Sequence, residues 1–203
     1  MFLLIMYYKD SSHDRQLEID RCLKFNIENK LIEKIFVFTE IKYDISHPKI
    51  RQEVINKRLT YQYAFDFSNK NLDGNICILA NSDVYFDYSL NKINTTDFTN
   101  KFYAITRHNV QNDSSIKFTD NTDCQDVWIW KSPIKNFPAN FELRQPGCDN
   151  RIAWESKNAG LNVLNPCKII KCYHLHLINK YNYIQNKSQI PGPYEWVEFG
   201  DQL

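Results

Sequence analysis

The chain has 203 residues, a length that suits one domain with a substantial buried core. Its 25 Lys and Arg residues nearly balance its 24 Asp and Glu residues, which gives a net charge of +1 with the two signs interspersed. This balance argues against nucleic acid or a membrane surface as a partner, and no apolar stretch is long enough to span a membrane.

The cysteines indicate a reducing compartment. No two of them have zinc-knuckle spacing, and three lie in apolar or periodic segments. We interpret them as free thiols and therefore expect a cytoplasmic protein rather than a disulfide framework. The six residues are Cys22, Cys77, Cys124, Cys148, Cys167 and Cys172.

The amino-terminal part of the chain predicts a strand, a helix and a second strand. Residues 2–8 form an apolar run, and residues 34–38 predict a second strand. Between them Ser11-Ser12 offers a helix N-cap, and Leu17 falls on the apolar face of the helix that follows. This order predicts a βαβ unit with parallel strands and a right-handed crossover.

A second helix is predicted over residues 60–71, where aromatic side chains lie toward the inner side. The preceding residues 50–55 fit either a short strand or a turn. Arg58 stands just before this helix, and its guanidinium fork matches the oxygens of a diphosphate. A surface position explains Arg58 equally well.

The stretch Ile76–Ala80 is a continuous apolar run, which is typical of a central strand buried on both faces. It stops at Asn81-Ser82-Asp83, and open α/β sheets bind their ligands at the carboxyl ends of such strands. A carboxylate there suits Mg²⁺ or Mn²⁺, which a phosphorylated substrate would share. The alternative is an ordinary turn, since Asn, Ser and Asp are common turn residues.

The following segment alternates strands with polar residues. Residues 102–107 and 125–130 fit strands, and the polar residues 109–123 between them predict a mobile loop over the site. Gln125 and Asp126 enter the second of these strands and can hydrogen-bond sugar or ribose hydroxyls. A turn role is the alternative for Asp126.

The last part of the chain offers an acid and two histidines. Asp149 precedes a helix predicted over residues 151–157, where it can serve as the N-cap or take a proton from an alcohol. A last strand is predicted over residues 168–176. His174 and His176 are two residues apart, so a strand places them on one face as a metal-ligand pair or as satisfied polar residues.

Four segments, in this order, resemble the GT-A-fold glycosyltransferases of the family-2 kind, and the resemblance spans most of the chain. They are residues 80–87, 125–130, 147–153 and 173–176. The first is similar to the acidic signature Asp-any-Asp of that fold, with Asn81 in the place of the first Asp. The resemblance implies that Asp83 ligates a metal and that Asn81 faces the ribose or the metal shell.

The third segment is similar to a Gly-any-Glu-Asp signature whose acid is the general base of inverting members. Cys148 stands where Glu is usual, so the resemblance assigns the base to Asp149. The fourth segment supplies the histidine that completes the metal site in many members. His174 or His176 can correspond to it, and we favour His176.

The resemblance implies an α/β fold with a Rossmann-like, mostly parallel central sheet flanked by helices in a single domain. Residues 1–100 would bind the nucleotide, residues 101–180 would hold the acceptor and the catalytic groups, and residues 181–203 would form a tail on the surface. The residues expected to contact the nucleotide or its sugar are Tyr7, Tyr8, Arg58, Asn81, Ser82, Asp83 and Gln125.

The implied activity is transfer of a sugar from a nucleotide-diphospho-sugar, with UDP-sugar as the first choice, to a hydroxyl of a glycan, a protein or a small molecule. Mn²⁺ or Mg²⁺ would assist, and Asp149 would act as base with inversion. In a retaining enzyme Asp126 would lie beside the sugar instead. The alternatives are a nucleotidyltransferase, although no glycine-rich loop follows the first strand, and a catalytically silent sugar-nucleotide-binding domain.

Overall fold

The computed structural model describes residues 1–122, 124–178 and 188–203. Three α-helices are α1 (His13–Glu28), α2 (Tyr61–Asn71) and α3 (Cys148–Asn158), and a 3-10 helix covers Tyr88–Thr95. In chain order the strands are β1 (Phe2–Met6), β2 (Lys34–Thr39), β3 (Ile50–Val54), β4 (Ile76–Ala80), β5 (Val84–Phe86), β6 (Lys101–Thr106), β7 (His108–Val110), β8 (Ile116–Phe118), β9 (Gln125–Lys131), β10 (Asn162–Leu164) and β11 (Cys172–His174).

The central sheet has seven strands in the order β10-β6-β9-β4-β1-β2-β3. β9 runs antiparallel to β4 and β6, whereas the other neighbouring pairs are parallel. The predicted mostly parallel sheet, the βαβ unit and the central place of β4 are therefore confirmed.

The two faces of the sheet build two hydrophobic clusters, because successive side chains of a strand point to opposite sides. Leu4 and Met6 of β1 pack with residues of α2 and α3, whereas Leu3 and Ile5 pack with α1. The result is a layer of helices on each side of the central sheet. Much of the aromatic content is core, as in the edge-to-face contact of Phe65 with Trp130.

Two of the three described α-helices begin at a residue whose side chain caps the helix. The side chains of Ser12 and Thr60 accept hydrogen bonds from the backbone at the starts of α1 and α2. The N-cap predicted at Asp149 is wrong, because α3 begins after Gly147 and Asp149 lies in its first turn. Gly147 has a φ of 82°, a left-handed conformation that favours glycine.

A second, four-stranded sheet has the order β5-β11-β7-β8. The loop predicted over residues 109–123 is therefore partly wrong, since β7 and β8 form an antiparallel pair within it. The strand predicted over residues 168–176 is shorter, because β11 is limited to the residues that pair with β5 and β7. The first difference is a short hairpin, whereas the second comes from pairing with strands that are distant in sequence.

The carboxyl-terminal tail contributes to the core rather than only covering the surface. Ile190 and Val197 are buried in the cluster beside α2 and α3, and Phe199 pairs with Asn165. Residues 181–187 of the predicted tail lie outside the described residues. Within the described ranges, no helix is both long and apolar enough to cross a membrane.

Candidate active site

A small pocket of about 10 Å³ lies at the carboxyl ends of β1 and β4, the edge at which α/β sheets bind ligands. Tyr8 follows β1, and the guanidinium carbons of Arg58 and Arg144 lie 5.7 Å and 5.2 Å from the centre of its ring. Arg144 also donates a hydrogen bond from Nη1 to the Tyr8 hydroxyl. The residues that line the pocket are Met6, Tyr8, Arg58, Leu59, Ala80, Asn81, Ser82, Leu143 and Arg144.

Asp83 lies just beyond β4 and is held by a buried arginine. Arg15 of α1 donates from Nη2 to Asp83 Oδ2, and from Nη1 to Glu18 Oε2 at 2.6 Å and to the Leu175 carbonyl at 2.9 Å. All three charged side chains are less than 10% exposed, at 7%, 8% and 4% for Arg15, Glu18 and Asp83. This buried ion triad joins α1 to the site.

The charge state of Asp83 follows from its neighbours. Burial on its own would raise the pKa of this carboxyl, but His174, Arg144 and Arg15 together hold it well below its usual range. Asp83 is therefore an anion at neutral pH. It can ligate a cation without first losing a proton.

Two histidines complete a cluster with Asp83. One ligand atom from each of Asp83, His174 and His176 lies within 4.8 Å of the others. His174 Nε2 is 3.3 Å from Asp83 Oδ2, and His174 Nδ1 is 3.1 Å from Asn109 Oδ1. Burial, followed by the charge of Arg15, lowers the pKa of His176, which favours the neutral imidazole that a metal requires.

Asp126 lies beside this cluster in a separate network. Asn81 Nδ2 donates to Asp126 Oδ1 at 2.6 Å, and Arg107 Nη1 donates to Asp126 Oδ2 at 2.8 Å. Both carboxylate oxygens thus bind neighbouring side chains. The side chain of Gln125 is buried next to it and donates from Nε2 to the Thr122 carbonyl at 2.6 Å.

Tyr7 takes a different place from Tyr8. Its ring packs against Tyr43 at 5.6 Å on the α1 side of the sheet, and its hydroxyl donates to Asp20 Oδ1 at 2.6 Å. The structure thus places Tyr8, Arg58, Asn81 and Ser82 around the pocket and Tyr7 in the core.

Three consecutive residues at the end of β4 each carry a buried oxygen with no hydrogen-bond partner among the described residues. The atoms are Asn81 Oδ1, Ser82 Oγ and Asp83 Oδ1. A buried acceptor without a hydrogen-bond donor lowers the stability of the fold by about 1–3 kcal/mol, so folded proteins contain few of them. They are three of eleven buried side-chain nitrogen and oxygen atoms without a partner among the described residues, and their grouping at one strand end makes this edge the candidate ligand site.

Asp149 lies in the first turn of α3, where the Cys148 thiol donates to its Oδ1 at 3.1 Å. A cavity of about 180 Å³ adjoins it, lined by Gly147, Asp149, Asn150, Gln189, Tyr194 and Trp196. Leu143 and Arg144 line the pocket beside Tyr8, so residues 143–150 contribute to both that pocket and the cavity beside Asp149.

Sequence reasoning missed Arg15, Arg107 and Arg144. Arg15 had a detectable signal, because its spacing of three, four and seven from Glu18, Ile19 and Cys22 places it on the buried face of α1. Leu17, predicted on that face, is 54% exposed instead. Arg144 has no comparable signal, since it lies in an irregular segment with a φ of 62°.

No protein-family model matches the sequence, and no curated protein matches it. The structure is similar to that of the mannosyltransferase PcManGT from Pyrobaculum calidifontis in complex with GDP-Man and Mn²⁺, with a TM-score of 0.55 and 10% sequence identity. The match covers 90% of this chain and 58% of the mannosyltransferase, so this chain corresponds to little more than half of that protein.

Two further structures match with lower TM-scores. HddC from Yersinia pseudotuberculosis gives 0.42 at 14% identity, with coverage of 64% and 76% of the two chains. The 4-diphosphocytidyl-2C-methyl-D-erythritol synthase from Anaerococcus prevotii gives 0.38 at 15% identity, with coverage of 64% and 70%. The likeness to the mannosyltransferase shows that this chain has a GT-A-like α/β fold.

Proposed function

We propose that this protein is a glycosyltransferase that moves a sugar from a nucleotide-diphospho-sugar to an acceptor hydroxyl, with metal assistance and inversion. The observation that carries the proposal is that Asn81, Ser82 and Asp83 each have a buried side-chain oxygen without a hydrogen-bond partner among the described residues. They lie beside a pocket that also presents Arg58 and Arg144. Polar acceptors and paired cations at one strand edge suit a sugar nucleotide, which brings both hydroxyls and a diphosphate.

The donor binds in this proposal with its diphosphate toward Arg58 and Arg144. Guanidinium groups bind phosphate oxygens through charged hydrogen bonds. The ring of Tyr8 keeps both guanidinium groups at the same pocket. We keep UDP-sugar as the first choice of donor, and the GDP-Man of the structural neighbour makes GDP the first nucleotide to compare with it.

The residues fit a divalent metal. Oδ1 of Asp83 is buried and unmatched within the part of the chain that the structure describes, and both histidines lie close to it. Two imidazoles with one carboxylate favour Mn²⁺ over Mg²⁺, which prefers oxygen ligands. Asp83, His174 and His176 would hold the ion, which would offset negative charge on the departing diphosphate.

The transfer step uses the chain's own groups as follows. The acceptor oxygen forms a bond to the anomeric carbon, and its proton passes to the Asp149 carboxylate. The bond from the anomeric carbon to the diphosphate breaks, and the diphosphate leaves with the electron pair. Arg58 and Arg144 stabilise that leaving charge. Attack from the face opposite the diphosphate inverts the configuration.

The alternatives carry less support. In a retaining enzyme Asp126 would face the sugar, but both of its oxygens are bound by Asn81 and Arg107. A nucleotidyltransferase usually has a glycine-rich loop after the first strand, and residues 7–12 contain no glycine. A silent sugar-nucleotide-binding domain would bind the donor and transfer nothing.

A calorimetric titration of UDP, GDP, CDP and TDP, each with and without Mn²⁺, tests the donor site. We expect one nucleotide to bind, and Mn²⁺ to strengthen its binding. Asp83→Asn should remove this metal effect, because the variant lacks the charge that holds the ion. Asp73→Asn is the matched control, since Asp73 is exposed near the amino end of the same strand. No binding of any nucleotide, or a metal effect that survives Asp83→Asn, would contradict the assignment.

Arg58→Gln and Arg144→Gln test the diphosphate contact. Each should weaken binding of the nucleoside diphosphate by roughly 10- to 100-fold, because a hydrogen bond to a charged group is worth about 1.5–3 kcal/mol. Binding of the corresponding nucleoside should change little. Arg21→Gln is the control, because Arg21 is exposed on α1 and lies over Phe25. An equal loss of affinity for the nucleoside and for the nucleoside diphosphate would show that the arginines do not contact the diphosphate.

A further inference from the structure

The cavity beside Asp149 is distinct from the donor pocket and is bounded by the carboxyl-terminal tail. Its volume is about 180 Å³, below the usual range of small-molecule and cofactor pockets, so it has room for a ligand of no more than about one ring. Gly147, Asp149 and Asn150 form one wall, and Gln189, Tyr194 and Trp196 form the other. The start of α3 and the tail therefore build it together.

The tail wall is fixed in place by several contacts. Asn150 makes a reciprocal pair with Glu195, since the Glu195 amide donates to the Asn150 carbonyl and Asn150 Nδ2 donates to the Glu195 carbonyl, each at 3.0 Å. The Ile190 amide donates to the Pro146 carbonyl at 2.9 Å. Because Ile190 is also buried in the core, the wall is anchored both to the start of α3 and to the core.

Gly147 shows how closely the tail approaches. A Cβ at this position would lie 3.2 Å from both the Ile190 carbonyl oxygen and the Tyr194 hydroxyl. Tyr194 itself donates to the Ile190 carbonyl and accepts from Gln189 Nε2 at 3.0 Å. The polar groups at this end of the cavity are thus held in a defined arrangement.

Trp196 is the apolar side of the cavity. It is 54% exposed, whereas Trp128 and Trp130 are fully buried. Its ring stands nearly perpendicular to that of Tyr194, at 78° and 6.0 Å between centres. The cavity therefore presents an apolar indole surface beside the carboxylate of Asp149 and the side-chain amides of Asn150 and Gln189.

We propose that this cavity is the acceptor subsite and that its ligand is a pyranoside, whose C–H face stacks on Trp196 while its hydroxyls meet Asp149, Asn150 and Gln189. This inference rests on the proposed function, because Asp149 there acts as the base on the acceptor hydroxyl. A pyranose ring has the required apolar face and hydroxyl rim. The Cα atoms of Arg144 and Gly147 are at most about 11 Å apart, being three residues apart in sequence, so the subsite borders the donor pocket.

The test measures sugar binding without transfer. Methyl glycosides of glucose, galactose, mannose and N-acetylglucosamine are titrated into the full chain, with saturation-transfer NMR as the readout. We expect at least one to bind, and Trp196→Ala to weaken that binding about tenfold through loss of the ring. Trp196→Phe should lose less, because it keeps a ring. Tyr88→Ala is the matched control, since Tyr88 is another exposed aromatic residue, at 75%.

The outcomes separate this inference from the proposed function. Nucleotide binding by the parent together with no glycoside binding, or with equal binding by Trp196→Ala, would overturn the subsite and leave the donor site standing. Glycoside binding that depends on Trp196, with no nucleotide binding, would keep the sugar site and overturn the transferase. In the expected case Trp196→Ala raises the acceptor KM and leaves the nucleotide affinity unchanged.

Discussion

Asp149→Asn is expected to reduce the turnover of sugar transfer by about 10²–10⁴-fold, the range that general-base catalysis typically contributes. The carboxamide has nearly the shape of the carboxylate but does not take up the acceptor proton. Asp149 adjoins both the Cys148 thiol and the acceptor cavity. The loss should therefore appear in kcat, with the affinity for the donor unchanged.

Asp14→Asn is the control for this variant. Asp14 is an exposed acid in the first turn of α1, so it matches Asp149 in its relation to the helix dipole. Both variants should lose a similar small amount of stability, about 0.3–1 kcal/mol, and only Asp149→Asn should lose turnover. Near-parental turnover of Asp149→Asn would show that Asp149 is not the base, and it would favour a retaining enzyme with Asp126 beside the sugar.

Arg15→Met should lower the free energy of unfolding by about 3–5 kcal/mol, the usual cost of removing one partner from a buried ion pair. The variant leaves Asp83 and Glu18 buried without the cation that both of them contact. It also leaves the Leu175 carbonyl without its Arg15 donor. Urea unfolding measures the change.

The same substitution at Arg21 gives the control, because Arg21 lies on the same helix and is exposed. Arg21→Met should change the free energy of unfolding by less than about 0.5 kcal/mol.

The pH dependence of the free energy of unfolding gives a second check on Arg15→Met. The pKa of Asp83 is lowered in the folded parent, so its contribution to stability is present above its usual pKa of about 4 and is lost as the pH falls through the folded value. The gap between parent and Arg15→Met should therefore narrow in acid, and a gap that stays constant would show that Arg15 acts through packing alone.

The sequence by itself determined the main elements and the edge of the sheet that carries the site. The apolar run Ile76–Ala80 predicts a central strand, and β4 has that place. Ser12 and Thr60 set two helix starts through contacts within one turn. These features depend on neighbours in sequence, so local chemistry is enough to predict them.

The tertiary structure alone decided which side chains meet at the site. Arg15 reaches Asp83 across 68 residues and Arg144 reaches Tyr8 across 136, so neither contact leaves a local pattern. The antiparallel direction of β9 and the pairing of β11 with β5 and β7 depend equally on distant strands. The tail wall at Trp196 exists because Ile190 and Val197 enter the core. Long-range burial and pairing fix these positions, because their free energy comes from contacts that form only when the whole chain folds.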